Sequence, residues 1–225
     1  PPLSSPPPPN AIITFHSPPA VPPPTKVARA QRYGYIVEGS EQTIYPDFTL
    51  SVPNSQSNRI AIDVKTTYRK TPTTQFRYTL GSYTSFLRDG KKNIKCPSSE
   101  YSGHWVLGFV YTRRCGVTAK VYYTREDSDK LLCPYQGTEY FVQEKYKIVG
   151  ESPASGNTAN IGSFPTSDIE RLHRGEGPFA TYGKEFCDEY WRNYGKKAAE
   201  RDYSTIAEFL QWRKKANVVA AGKAI

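Results

Sequence analysis

Apolar and polar positions alternate with period two through the middle of the chain. In Arg59-Ile-Ala-Ile-Asp-Val-Lys-Thr-Thr67, Ile60, Ile62 and Val64 form one row and Ala61, Asp63 and Lys65 the other. That is the pattern of a β-strand with a buried apolar side and a chemical side. The preceding stretch, Pro46 to Val52, alternates likewise, with Tyr45, Asp47 and Thr49 opposite Phe48 and Leu50. The polar Pro53-Asn-Ser-Gln-Ser-Asn58 suits an antiparallel turn between the two. Trp105-Val-Leu-Gly-Phe-Val-Tyr111 is apolar throughout and predicts a buried central strand, with further strands over Ala119–Tyr123 and Glu139–Gln143. Upstream, Lys26 to Arg32 reads as the end of a helix, and Tyr33-Gly-Tyr-Ile-Val37 leads into the sheet. Near the C-terminus the period becomes helical: Phe186, Tyr190 and Tyr194 recur at four-residue spacing, and Ser204 is the predicted cap of a segment carrying Ile206, Phe209, Leu210 and Arg213. There is no internal repeat and no heptad, so one α/β body is expected.

Composition sharpens the boundaries. A chain of 225 residues buries a self-supporting core without disulfides. Pro1 to Pro24 hold 11 of the 19 prolines and none of the 30 basic or 21 acidic residues. Residues 1–24 therefore read as an irregular, proline-rich arm, and 25–225 as a single domain. The start lacks the basic segment and apolar core of a signal peptide, and no apolar run reaches ~18 residues, which excludes a transmembrane helix on length. The formal net charge of +9 raises the expectation of an anionic partner. Cys96, Cys115, Cys133 and Cys187 are scattered, as are the three His, which speaks against structural zinc and for a reducing, cytoplasmic setting.

The chemical row carries the functional signal. A hairpin return would bring Asp47 beside Asp63. Like charges held close destabilise each other, but a divalent cation makes them a cluster of hard oxygen ligands that suits Mg²⁺ better than zinc. Lys65 alongside offers a positive charge to stabilise a developing phosphate charge, or to orient or deprotonate water. The bland alternative is a pair of turn or edge acids and a solvated lysine. Arg88-Asp-Gly-Lys-Lys-Asn-Ile-Lys95 supplies a local basic patch able to position phosphates. Glu151-Ser-Pro-Ala-Ser-Gly-Asn-Thr-Ala-Asn-Ile-Gly-Ser163 is rich in small residues and reads as an exposed loop. In it, Asn157 and Asn160 have the paired donors and acceptors that match adenine edges, or serve simply as turn formers, and Gly156 permits close backbone approach.

Together, Tyr45-Pro-Asp-Phe-Thr-Leu50, Ile60-Ala-Ile-Asp-Val-Lys-Thr-Thr-Tyr68 and Ser155-Gly-Asn-Thr-Ala-Asn-Ile-Gly-Ser163 resemble the EcoRV-type restriction endonucleases of the PD-(D/E)xK superfamily. Thr79-Leu-Gly-Ser-Tyr-Thr-Ser-Phe86, His104-Trp105, Val110-Tyr-Thr-Arg113 and Tyr190-Trp-Arg-Asn-Tyr194 extend the likeness from about Tyr33 to Trp212. The resemblance implies a central mixed β-sheet flanked by helices, with Asp47, Asp63 and Lys65 at the catalytic positions. It implies Mg²⁺ held by Asp47, Asp63 and the Val64 carbonyl, polarising phosphate and activating water for in-line attack. It implies a homodimer on double-stranded DNA in the bacterial cytoplasm, cutting a palindrome, GATATC, bluntly at its centre to leave 5′-phosphates. The turn Glu41-Gln-Thr-Ile44 would bring Gln42 and Thr43 to the minor groove. Ala154, Ser155, Gly156, Asn157, Thr158 and Asn160 would form a recognition loop in the major groove, while Thr66, Ser85 and Lys92 would lie near DNA or its phosphates. Bending at a flexible central TA step would add to specificity.

Three departures accompany the likeness. The proline-rich start replaces a helical region that in the family assists dimerisation and carries a further acid. Ala154 stands at a glycine position, where a required positive φ would cost about 1 kcal/mol or more. Thr43 replaces an asparagine that could touch the minor groove. The alternative functions are a sequence-specific DNA-binding protein with weak or absent cleavage, and a nuclease selective for nicks or flaps.

Overall fold

The computed structural model describes residues 30–53, 58–81, 83–89, 93–114, 132–154, 160–195 and 198–222, together with 116, 117, 124 and 126. The strand expected over Ala119–Tyr123 and the arm over 1–24 lie outside these residues. Five strands form one mixed sheet in chain order: β1 (Ile36–Gly39), β2 (Phe48–Ser51), β3 (Arg59–Arg69), β4 (Tyr101–Arg113) and β5 (Tyr135–Glu144). Neighbours are antiparallel except β3 and β4, which run parallel. The connection between that parallel pair carries α1 (Tyr83–Asp89), as a crossover requires. After β5 come the single-turn α2 (Lys145–Ile148) and a two-stranded ribbon of β6 (Val149–Pro153) and β7 (Ile161–Ser163). Then follow α3 (Ile169–His173), α4 (Lys184–Asn193) and α5 (Ile206–Gly222).

The main core lies on the face of the sheet that presents Ala61, Val106, Val110 and Phe141. It is closed by Tyr78, Leu80, Ile148 and Leu172 and by an aromatic cluster from the C-terminal helices and the segments flanking them: Phe179, Phe186, Tyr190, Trp191, Tyr194, Tyr203 and Phe209. The helical spacing of Phe186, Tyr190 and Tyr194 thus marks a buried stripe, as expected from its period. The cap of α5 is one residue later than the sequence suggested. The Thr205 hydroxyl accepts from the Glu208 N–H at 3.2 Å, while the Glu208 carboxylate accepts from the N–H groups of Ser204 and Thr205. This is a capping box over Thr205-x-x-Glu208, and Ser204 contributes only its backbone.

The orientation of β3 is a second correction. Ala61 and Asp63 face the main core and are essentially sealed from solvent, whereas Ile60, Ile62 and Val64, expected to be the buried row, are half-buried on the opposite face. That outer face also holds Trp105, Leu107, Phe109 and Tyr111, and it is partly open: Tyr68, Tyr140 and Val142 are exposed. Alternation defines two rows, but both faces of a central strand are apolar and the larger core takes the row with the better-packed partners. The polar members of the inner row are paired. Arg69 meets Glu139 and donates to the Ser167 carbonyl, and Asp63 meets two lysines.

One close approach fixes the packing of β4 on β5. Gly108 pairs with Phe141, and a β-carbon at 108 would fall 2.1 Å from the Phe141 ring. Gly108→Ala should therefore destabilise the fold by about 1–3 kcal/mol through overpacking, read by urea denaturation, and Phe141→Leu in the same chain should return part of that loss.

Candidate active site and DNA-facing elements

The antiparallel register of β2 and β3 pairs Phe48 with Ile62, so the residue before β2, Asp47, stands opposite Asp63. The Val64 N–H donates to Asp47 Oδ2 at 2.6 Å, which ties the first carboxylate to the strand bearing the second. Lys65 Nζ lies 2.5 Å from Asp63 Oδ1, 3.4 Å from the Val64 carbonyl and 3.8 Å from Asp47 Oδ2. Three hard oxygen atoms thus converge on one positive charge. They are the three groups that the family resemblance implies as metal ligands. Among the described residues no group of three or more His, Cys, Asp or Glu side chains stands together as a metal site, so an ion here would take two carboxylates and a carbonyl. That donor set, with the Lys65 ammonium already in its focus, fits a small hard cation. The carboxylates line a cleft of about 400 Å³ together with Thr43, Ile44, Tyr45, Gly81, Phe86, Asn93 and Ile94.

A second lysine, which sequence reasoning missed, completes the site. Lys145, the first residue of α2, is buried and places Nζ 2.9 Å from Asp63 Oδ2 and 3.1 Å from the Tyr45 hydroxyl. Its ammonium lies 4.4 Å from the centre of the Tyr45 ring and 4.9 Å from that of Tyr83. The Tyr45 hydroxyl in turn bonds His104 Nδ1 at 2.8 Å. Nothing local distinguishes Lys145 from Lys147, which pairs with Glu144 near the surface. The one available signal is a lysine entering the apolar run that continues through Ile148 and Val149.

Residues 21–214 match the family described as Restriction endonuclease EcoRV. A type II restriction enzyme EcoRV from Escherichia coli is 40% identical over 187 residues, covering 81% of this chain and 75% of that relative. The chain belongs to the EcoRV restriction endonuclease family. Its mixed sheet flanked by helices is the PD-(D/E)xK restriction-endonuclease fold, and its activity is that of a restriction-endonuclease-like hydrolase.

Electrostatics separate the two acids of this EcoRV-family site. Burial pushes the Asp47 carboxyl above its ordinary value, against the Lys65 charge and the Val64 N–H, which lower it. Burial acts the same way on Asp63, but the Lys145 and Lys65 ammoniums outweigh it and hold that carboxyl below its ordinary value. Burial lowers the affinity of Lys145 for its proton, and Asp63 partly restores it. His104 is pushed down from 6.5 to about 3, by burial first and then by Lys145 and Lys184, so its ring stays neutral and accepts from Tyr45.

The residues expected to face DNA are distributed unevenly. Gln42 and Thr43 are exposed in the turn closed by the Ile44 N–H on the Glu41 carbonyl, and Thr43 borders the cleft. Thr66 is exposed on β3, on the row opposite that of Asp63 and Lys65. Ser85 belongs to α1. Lys92, Ser155, Gly156, Asn157 and Thr158 lie outside the described residues. Ala154 and Asn160 close the base of the β6–β7 ribbon, with the Ala154 N–H on the Asn160 carbonyl at 3.2 Å. The stretch read as an exposed loop is therefore anchored at its end, because Ile161, Gly162 and Ser163 are buried. A β-carbon at Gly162 would strike Ala154 and the Arg77 side chain. The basic patch is also partly absorbed by structure. Arg88 donates to the Arg192 carbonyl and Lys95 to that of Gly39.

The backbone strain foreseen at Ala154 is found elsewhere. Among the described non-glycine residues, positive φ occurs at Thr43 (75°) and Asn93 (54°), and Ala154 is not among them. A β-branched residue is a poor occupant of that region and asparagine a tolerated one. Thr43→Asn should stabilise the protein by about 1 kcal/mol, measured as a shift of the urea midpoint at constant slope. A second expectation concerns pH. The unfolded chain protonates residue 104 below pH 6.5, whereas the folded chain resists protonation down to about 3. Stability present above 6.5 is therefore lost as pH falls, by up to about 1.4 kcal/mol per unit from this group. The raised Asp47 acts in the opposite sense just above the ordinary carboxylate range, so the informative quantity is a difference between proteins. His104→Gln, which keeps an acceptor for Tyr45, should flatten the loss of stability between pH 6.5 and 4.5 relative to wild type in a series of denaturation curves.

Proposed function

We propose that the protein is a Mg²⁺-dependent type II site-specific deoxyribonuclease that cuts both strands of duplex DNA at a palindrome, GATATC, leaving blunt ends with 5′-phosphates. In this reading it acts as a homodimer in the bacterial cytoplasm, one subunit per strand. The observation that carries the reading is the convergence of Asp47 Oδ2, Asp63 Oδ1 and the Val64 carbonyl on a single cationic focus at the edge of a cleft, in a chain of this family. The family match supports Mg²⁺ use and the dimer, and the 40% identical EcoRV enzyme supports duplex DNA as substrate and its cut site as the first to test.

Each side chain has a distinct task in this reading. Asp47, held by the Val64 N–H, and Asp63, held by Lys145, present one oxygen each toward the cleft. A divalent cation bound between them supplies Lewis acidity toward a phosphate oxygen and toward water. Lys65 keeps its charge within reach of the same place, where it stabilises negative charge developing on the phosphate. Gln42 and Thr43, at the rim, meet the minor groove. Ala154 and Asn160 hold the base of a loop whose Ser155, Gly156, Asn157 and Thr158 read the major groove, while Thr66, Ser85 and Lys92 contact the backbone nearby.

The test is a digest of plasmid DNA bearing one GATATC site, with both product ends sequenced, in the presence and absence of Mg²⁺. The expected product is a linear, blunt-ended molecule formed only with the metal. A shifted but uncut duplex across Mg²⁺ and Mn²⁺ titrations would favour the DNA-binding alternative, and cutting confined to nicks or flaps would favour a structure-selective nuclease. Two substitutions should separate chemistry from stability. The Asp47 side chain is 43% exposed, so Asp47→Asn should abolish cleavage with little change in unfolding free energy. Asp63→Asn should abolish cleavage and also destabilise the fold by about 3 kcal/mol or more, because it leaves Lys145 buried without its counter-charge.

A further inference from the structure

We propose that Lys145 is a positioning residue that restricts Asp63 to one metal-binding oxygen and thereby biases the site toward small octahedral cations over Ca²⁺. The inference rests on the reading of Asp47 and Asp63 as ion ligands.

Two ammonium groups hold the Asp63 carboxylate, one on each oxygen: Lys65 Nζ at 2.5 Å from Oδ1 and Lys145 Nζ at 2.9 Å from Oδ2. They differ in freedom. The Lys65 side chain is 23% exposed at the cleft, whereas that of Lys145 is 1% exposed. Lys145 is also tied to the Tyr45 hydroxyl at 3.1 Å and lies against the Tyr45 and Tyr83 rings. Those rings are themselves fixed. The Tyr45 hydroxyl bonds His104, and the Tyr83 hydroxyl donates to Asp188, whose other oxygen accepts from Lys184. A cation entering from the cleft exchanges with the lysine that has somewhere to go. Lys65 withdraws, and Lys145 stays on Oδ2.

A carboxylate with one oxygen committed to a buried ammonium offers an ion only the other. Mg²⁺ and Mn²⁺ complete an octahedron readily with single oxygens and water, whereas Ca²⁺, larger and with more ligands, gains from bidentate carboxylates. The hydrogen bond from Lys145 therefore denies Ca²⁺ a mode that the smaller ions do not need.

Calorimetric titration of the full-length chain with Mn²⁺ and with Ca²⁺ tests this. Lys145→Met keeps the unbranched stem of the side chain in its aromatic slot, without the ammonium, and releases Oδ2. The ratio of Ca²⁺ to Mn²⁺ affinity should rise about fivefold or more, by gain of a bidentate mode. Removing a positive charge strengthens both ions alike and cancels in the ratio. A ratio equal to wild type in the folded variant overturns the proposal. Asp47→Asn separates this outcome from failure of the reading beneath it: if that variant binds Mn²⁺ as wild type does, the pair is not an ion site at all. A second measurement needs no variant. Infrared difference spectra of the wild-type protein on adding Mg²⁺ should show the carboxylate band splitting of unidentate coordination, and a bidentate splitting would overturn the proposal even if Lys145→Met fails to fold.

Discussion

Asp63 sits in the middle strand of a five-stranded sheet with 3% of its surface exposed, where an ionised carboxylate persists only if cations replace its lost hydration. Lys145, still more deeply buried, has the same requirement with the sign reversed. Each is untenable without the other, since the penalty for isolating either charge amounts to several kcal/mol. The strand order serves this pair. Asp63 is level with Val106 on β4, and Val106 with Gln143 on β5, so the chain leaves the sheet at Glu144 and delivers Lys145 beneath the same row. The layer of Tyr45, Tyr83 and His104 then encloses the ammonium with ring faces and a hydroxyl. The geometry proposed for catalysis and the stability of the sheet are in this sense one problem.

What the sequence made legible follows from distance along the chain. Asp47 and Asp63 could be paired on paper because only seven residues separate β2 from β3 in the sequence and alternation leaves a single register that puts both acids on one side. Lys145 is 82 residues from Asp63. No periodicity spans that gap. Which row of β3 faces the larger core was equally hidden, because Ile60, Ile62 and Val64 are as apolar as a core row should be and lose only to the aromatic mass gathered on the other face. The cap of α5 was misplaced by one residue although the information was present, since Glu208 stands three residues after Thr205 and four after Ser204. The ribbon of β6 and β7 was read as exposed from its small residues. In fact Gly162 is small because Ala154 and Arg77 press against it.

Charge composition proved a weaker guide than charge placement. A net charge of +9 suggests a cationic surface, yet several basic groups are already committed. Arg88 secures the carbonyl end of α4, Lys95 braces Gly39 beside Glu38, and Arg69 is buried against Glu139. Substrate attraction at this site therefore has to come from groups that are free to change partner, and among the described residues Lys65 is the lysine that both lines the cleft and retains solvent contact.

That distinction bears on how ion and substrate would act on each other. The site as it stands brings together two carboxylates and two ammoniums, so its formal charge is zero and it exerts little pull on a phosphate. With a divalent ion between the acids and Lys65 displaced only as far as the cleft, the same set carries two additional positive charges while Lys145 and Asp63 remain matched in the core. A phosphodiester would then meet positive charge that the resting site does not offer, and its own charge would favour retention of the ion. Such mutual dependence needs one lysine that moves and one that does not. The exposure of Lys65 and the burial of Lys145 on opposite oxygens of a single carboxylate provide that asymmetry.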